Sequence, residues 1–148
     1  MEKGKEPWYA QGCFMGMFVY LAVAGVMDCR LKMISDFLHG MGLLSAGILA
    51  FCSHSEPEVW WSFLMFCLVQ YLVFRHMYGP ADVIIFLICA LFLAAQGRKM
   101  EVYLIHMALT FVLLGVIQLL RRNISERGNL KEPVALVPYI AVSFFMII

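Results

Sequence analysis

Residues 79–95 read Gly79-Pro80-Ala81-Asp82-Val83-Ile84-Ile85-Phe86-Leu87-Ile88-Cys89-Ala90-Leu91-Phe92-Leu93-Ala94-Ala95. A single carboxylate stands at the head of an unbroken apolar run. Glycine and proline punctuate its start, and proline suits a first helical turn because the N–H it lacks would be unpaired there anyway. The run predicts an apolar helix over Ala81–Ala95 with no polar face. Such a helix lies either in the core of a large protein or in a membrane. Composition decides between them. Of the 148 residues, 63% are AVILMFWYC and 14% are charged, with mean hydropathy +0.84. Soluble domains are roughly 45–50% apolar and about 25% charged, and one of this length has too little interior to hide the excess. A formal net charge of +1 argues equally against a nucleic-acid binder and a disordered tail. The expectation is one membrane-embedded domain over residues 1–148, all-α.

Outward from this run, charge or Pro/Gly punctuation bounds five more apolar stretches: Gly12–Met27, Phe37–Cys52, Val59–Phe74, Val102–Leu120 and Val134–Ile148. Together they predict a polytopic bundle of about six transmembrane helices. Several fall short of the ~20 residues of a full span, so they borrow flanking residues or sit in thinned bilayer. Five spans plus a re-entrant piece is the rival count. The first stretch is closed by Asp28, Arg30 and Lys32 and not by a small-residue cleavage pattern, so it reads as a retained helix. With six spans, one side collects Arg30, Lys32, Arg75, Arg121, Arg122, Arg127 and Lys131; the other holds Lys3, Lys5, Arg98 and Lys99. The richer side is expected to be cytoplasmic, with both termini outside.

Most acidic residues have polar surroundings. Asp28 and Asp82 do not: Asp28 follows the nearly unbroken apolar residues 13–27, and Asp82 opens the run quoted above. Taken singly, each is accounted for as a helix-end residue, with Asp82 favourable to the dipole of the helix it begins. As a pair they fall on the same membrane face at similar depth, and intramembrane carboxylates usually turn inward for a reason. Two facing carboxylates share a proton because both cannot easily ionise at once. The ionised member can then take a proton from water while the other protonates a peptide carbonyl and later the leaving amine. No serine sits in a G-x-S-x-G elbow with a histidine partner.

The residues around both aspartates resemble the type IV prepilin peptidases of family A24, GxGD-type membrane aspartic proteases, in their short Tad/CpaA-like form. The family pattern D-x-R-x-x-x-I-P-N is met by Asp28, Arg30 and Ile34, with Ser35-Asp36 in place of Pro-Asn. The G-x-G-D signature is met by Gly79 and Asp82, with Ala81 for the second glycine and Ile84 where a lysine commonly follows. Val137-Pro138-Tyr139-Ile140-Ala141 is similar to the family's last helix. The resemblance implies catalytic Asp28 and Asp82, with Gly79, Ala81 and Arg30 supporting the cleft, and no metal or cofactor. It implies a prepilin-like substrate, with a basic leader and an apolar helix, cut at the cytoplasmic face of a prokaryotic cell membrane. The larger members carry a methylating domain with paired cysteine motifs; no CxxC exists here, so the implied activity is cleavage alone. Ala81 and Ile84 leave room for an inactive homologue that acts as a membrane scaffold. A proton-coupled transporter relaying through both aspartates is a third reading, without an inverted repeat to support it.

The remaining chemistry-bearing residues have plainer readings. Cys13, Cys29, Cys52, Cys67 and Cys89 fall mostly in apolar runs and read as buried free thiols. His39, His54, His76 and His106 lack metal-ligand spacing, with His76 a weaker candidate for the cleft. His106, Gln70 and Gln118 are expected to hydrogen-bond between helices, and Gly12, Gly16, Gly40, Gly42 and Gly47 to form close-packing faces. Trp8, Tyr9, Trp60 and Trp61 suit an interfacial belt, and the eleven methionines suit adaptable filling.

Overall fold

The computed structural model describes residues 8–53, 55–74, 79–124 and 134–148. These residues form six helices, with no strand among them: α1 Trp8–Leu31, α2 Asp36–Cys52, α3 Pro57–Phe74, α4 Pro80–Ala95, α5 Met100–Ile124 and α6 Val137–Ile147. The protein is all-α. Each expected stretch is a helix, and the ends differ for local reasons. Ser35 caps α2, its hydroxyl oxygen accepting the Phe37 N–H at 3.3 Å. Gly79 is the N-cap of α4 and Pro80 its first residue. At the far end of α4, Gly97 takes φ +67°, which a side chain disfavours. Its N–H reaches the Ala94 carbonyl at 2.9 Å while the Arg98 N–H reaches that of Leu93 at 3.0 Å, closing the helix by paired reverse bonds. α1 runs on to Leu31, so Asp28 lies within its last turn and does not mark the end.

α4 is the centre of the molecule. It packs against α2, α3, α5 and α6, while α1 packs against α2 and α6, and α5 against α3 and α6. Val83, Ile85, Phe86, Ile88, Cys89, Phe92 and Leu93 of α4 are buried, which explains a helix with no polar face. Around this core the outward positions are also apolar: Phe18, Phe37, Phe51, Trp61, Leu64 and Leu119 are each exposed. Two helices are long and apolar enough to cross a membrane, over Gly12–Leu31 and Met100–Arg122; the others are apolar and shorter.

Several expectations about individual residues are corrected by the packing. Gly42 is a close-packing position, and a Cβ at Gly16 would touch Ser45 at 3.5 Å, but Gly12, Gly40 and Gly47 have nothing within 4 Å of where a Cβ would stand. Of the thiols, Cys89 is buried, Cys13, Cys52 and Cys67 are half-buried, and Cys29 is exposed. Gln118 faces outward on α5 and has no hydrogen bond among the described residues. His54, His76, Arg75, Arg127 and Lys131 lie outside the described residues.

Candidate active site

Three helix ends converge at one end of the bundle: the last turn of α1, the first turn of α4 and the start of α6. Asp28 comes from the first and Asp82 from the second. Both side chains are half-buried, and Asp28 is close enough for its charge to act on Asp82. Two chain segments far apart in sequence thus bring their carboxylates within electrostatic reach of each other. The reason is topological: α2 and α6 each pack against both α1 and α4 and so bridge the two helices.

Each carboxylate also has a backbone task. Asp28 Oδ2 accepts the N–H of Val137, the first residue of α6, at 3.0 Å. Leu136 is the N-cap of that helix and offers no side-chain bond, so a carboxylate from another helix takes the cap's place. Anions are favoured at such ends by the unpaired N–H groups and the helix dipole. Asp82 sits third in α4 and turns back toward the Gly79 N–H; a Cβ at Gly79 would stand 3.5 Å from its Oδ2. This is the position from which the acid of a capping box reaches back toward the N-cap amide. Asp82 thus stands at the head of its own helix, as its sequence position suggested, while Asp28 serves the start of α6 and not the end of α1.

The supporting residues divide. Gly79 adjoins Asp82, and neither its φ of −61° nor the space beside the carboxylate, which a Cβ would meet in ordinary contact at 3.5 Å, requires glycine. Ala81 is half-buried next to it, while Arg30 is exposed. Ile84, in the lysine position of the resembled motif, packs against the apolar core. Asp36 is exposed at the head of α2. Among the described residues, no three of His, Cys, Asp and Glu cluster in a way that could hold a metal ion.

A second polar feature lies deeper. The Tyr103 hydroxyl donates to Gln70 Oε1 at 2.6 Å, with the Phe86 carbonyl 3.2 Å away. His106 Nε2 meets the Ile140 carbonyl at 3.1 Å, and the Thr110 and Ser143 hydroxyls are 2.6 Å apart. These bonds tie α3, α4, α5 and α6 together through apolar surroundings, where an unpaired polar group is costly. His106 and Gln70 thus take the interhelical role expected of them. The Asp28–Val137 bond is not legible in the residues around Asp28. Its signal was present: Val137-Pro138 opens a helix with no Ser, Thr, Asp or Asn immediately before it, so a cap had to come from elsewhere.

No protein-family model matches the chain, and comparison with characterised proteins and with solved structures yields no match.

Proposed function

We propose that the protein is a membrane aspartic endopeptidase of the prepilin-peptidase type, embedded by about six helices in a prokaryotic cytoplasmic membrane. The observation that carries this reading is that Asp28 and Asp82 stand within reach of each other's charge at one end of an apolar bundle. The embedding is supported by outward-facing apolar residues on the short helices as well as the long ones. α2, α3 and α4 have 17, 18 and 16 residues, about 24–27 Å at 1.5 Å per residue, against a hydrocarbon core of about 30 Å. α6, with 11 residues, covers about half that depth, which favours the count of five spans and a partial one.

In this reading a water lies between the two carboxylates. The ionised one removes a proton as the water oxygen bonds to the scissile carbonyl carbon. The protonated one gives its proton to the carbonyl oxygen, and the C–N bond then breaks as the amine leaves with a proton. The substrate is a prepilin-like chain whose apolar helix packs among the spans and presents its basic leader at the cytoplasmic face. Asp28→Asn and Asp82→Asn test the proposal, because an amide keeps the shape and can still accept the backbone N–H. Either change alone is expected to abolish cleavage of a co-expressed prepilin, with little further loss in the double variant. Asp36→Asn is expected to leave cleavage intact. Wild-type processing by both aspartate variants overturns the catalytic assignment.

One observation favours a second reading, a non-catalytic scaffold on the same fold. Both carboxylates already serve helix ends, Asp28 at Val137 and Asp82 at Gly79, and those roles need no turnover. An unmodified protein that cuts no prepilin encoded beside it decides for the scaffold.

A further inference from the structure

Asp28 has two carboxylate oxygens, and only one of them holds α6. Oδ2 accepts the Val137 N–H at 3.0 Å; Oδ1 has no protein hydrogen bond among the described residues. In the first turn of α6, Pro138 has no N–H, and the Tyr139 and Ile140 N–H groups point back to the Leu136 carbonyl at 3.0 and 3.2 Å. The Val137 N–H is therefore the donor of that turn that needs an acceptor from outside, and Asp28 supplies it. One turn before Asp28, Gly25 is buried, and a Cβ built there would lie 3.6 Å from Pro138 Cα. The two helix ends thus come together at two successive turns of α1, once where only a glycine's width separates the backbones and once by a hydrogen bond.

We propose that the start of α6 is the positioning element of the site: the Val137 N–H holds Asp28 through Oδ2 and so presents Oδ1 to the water shared with Asp82. This rests on the peptidase reading. An unanchored carboxylate on a helix end turns about its χ angles, and fixing it before the reaction removes that freedom from the barrier. The hydrogen bond from the unpaired helix-end N–H fixes one carboxylate oxygen, and it leaves the second oxygen to face the partner carboxylate. Val137 acts through Asp28 and touches no substrate.

The experiment uses the full chain in lipid nanodiscs. Replacing Val137 by its α-hydroxy analogue converts the amide to an ester and deletes the N–H without changing the side chain. The same replacement at Phe37, whose N–H caps locally on Ser35, is the control. With a prepilin-like peptide as substrate, the Val137 ester is expected to lower kcat about tenfold with KM within about twofold. The Phe37 ester should alter neither. A second readout needs no activity: amide hydrogen exchange over Leu136–Ile140. Asp28→Ala should speed it about tenfold or more, and Asp36→Ala by less than about twofold. Unchanged exchange in Asp28→Ala overturns the anchoring of α6. Accelerated exchange with an unchanged kcat in the Val137 ester reduces the contact to a structural tie and overturns the positioning role. A wild-type protein that never cuts prepilin removes the peptidase reading and the positioning role with it, while the exchange result still reports whether Asp28 anchors α6.

Discussion

Gly42→Ala is expected to destabilise the protein by about 1–3 kcal/mol, against the usual preference of helices for alanine. The Cβ it adds would stand 2.8 Å from Cε2 and Cζ of Tyr20 and 3.0 Å from Cδ1 of Ile88. Apolar carbons rest about 3.5–4.0 Å apart, so the Tyr20 ring must retreat by roughly 0.7 Å or more. It has little room to do so, being 4% exposed with its hydroxyl hydrogen-bonded to His39 Nδ1 at 3.2 Å. Overpacking of this kind costs about 1–3 kcal/mol. A strained Tyr20–His39 bond adds about 1 kcal/mol, all the more because His39 Nε2 has no partner among the described residues. The propensity gain of alanine over glycine, about 1 kcal/mol, offsets one of these. Gly47→Ala on the same helix is the internal control. Nothing lies within 4 Å of its Cβ position, so only the gain of about 0.5–1 kcal/mol remains. SDS titration in mixed micelles, followed by far-UV circular dichroism, should move the two variants to opposite sides of the wild type. The close packing of α1, α2 and α4 at Gly42 is refuted if Gly42→Ala unfolds at the wild-type SDS fraction, or if Gly47→Ala falls as far as Gly42→Ala.

Tyr103→Phe removes the donor to Gln70, whose Nε2 is already unpaired; a loss of about 1–3 kcal/mol is expected in the same titration. An unchanged midpoint would show that Gln70 finds another partner. Membrane orientation is read from single cysteines at Lys99 and Arg122 in a cysteine-free background, with a membrane-impermeant thiol reagent added to whole cells. Lys99→Cys should label and Arg122→Cys should not, and the reverse pattern inverts the topology.

The positions of the helices were legible in the chain itself. Long apolar runs broken by Gly79-Pro80, Ser35-Asp36 and Pro57 leave a backbone little choice, since each interruption either caps a helix or removes a donor. The two aspartates also stood out, because a lone carboxylate beside an apolar run is expensive wherever its side chain points. The faces of the helices are not legible in the same way. In a soluble helix the buried stripe is apolar and the rest polar, so periodicity identifies the side that packs. Here Phe51 and Leu64 face outward while Leu49 and Phe63 are buried, and nothing in residue type separates them. For the same reason Gly47 and Gly42 looked alike, as did Gln118 and Gln70.

The amino-acid sequence by itself determined an apolar all-α chain, the extents of its helices to within a few residues, and the carboxylates worth watching. These follow from composition and from backbone chemistry local to a few residues. Only the tertiary structure decided that α4 is the hub, that Tyr103 reaches Gln70, and that Asp28 accepts the Val137 N–H while its charge acts on Asp82. Those facts depend on which side of each helix turns inward. With apolar side chains on every side, that choice is made by close packing and by the need to pair the few buried polar groups, both of which act between segments distant along the chain.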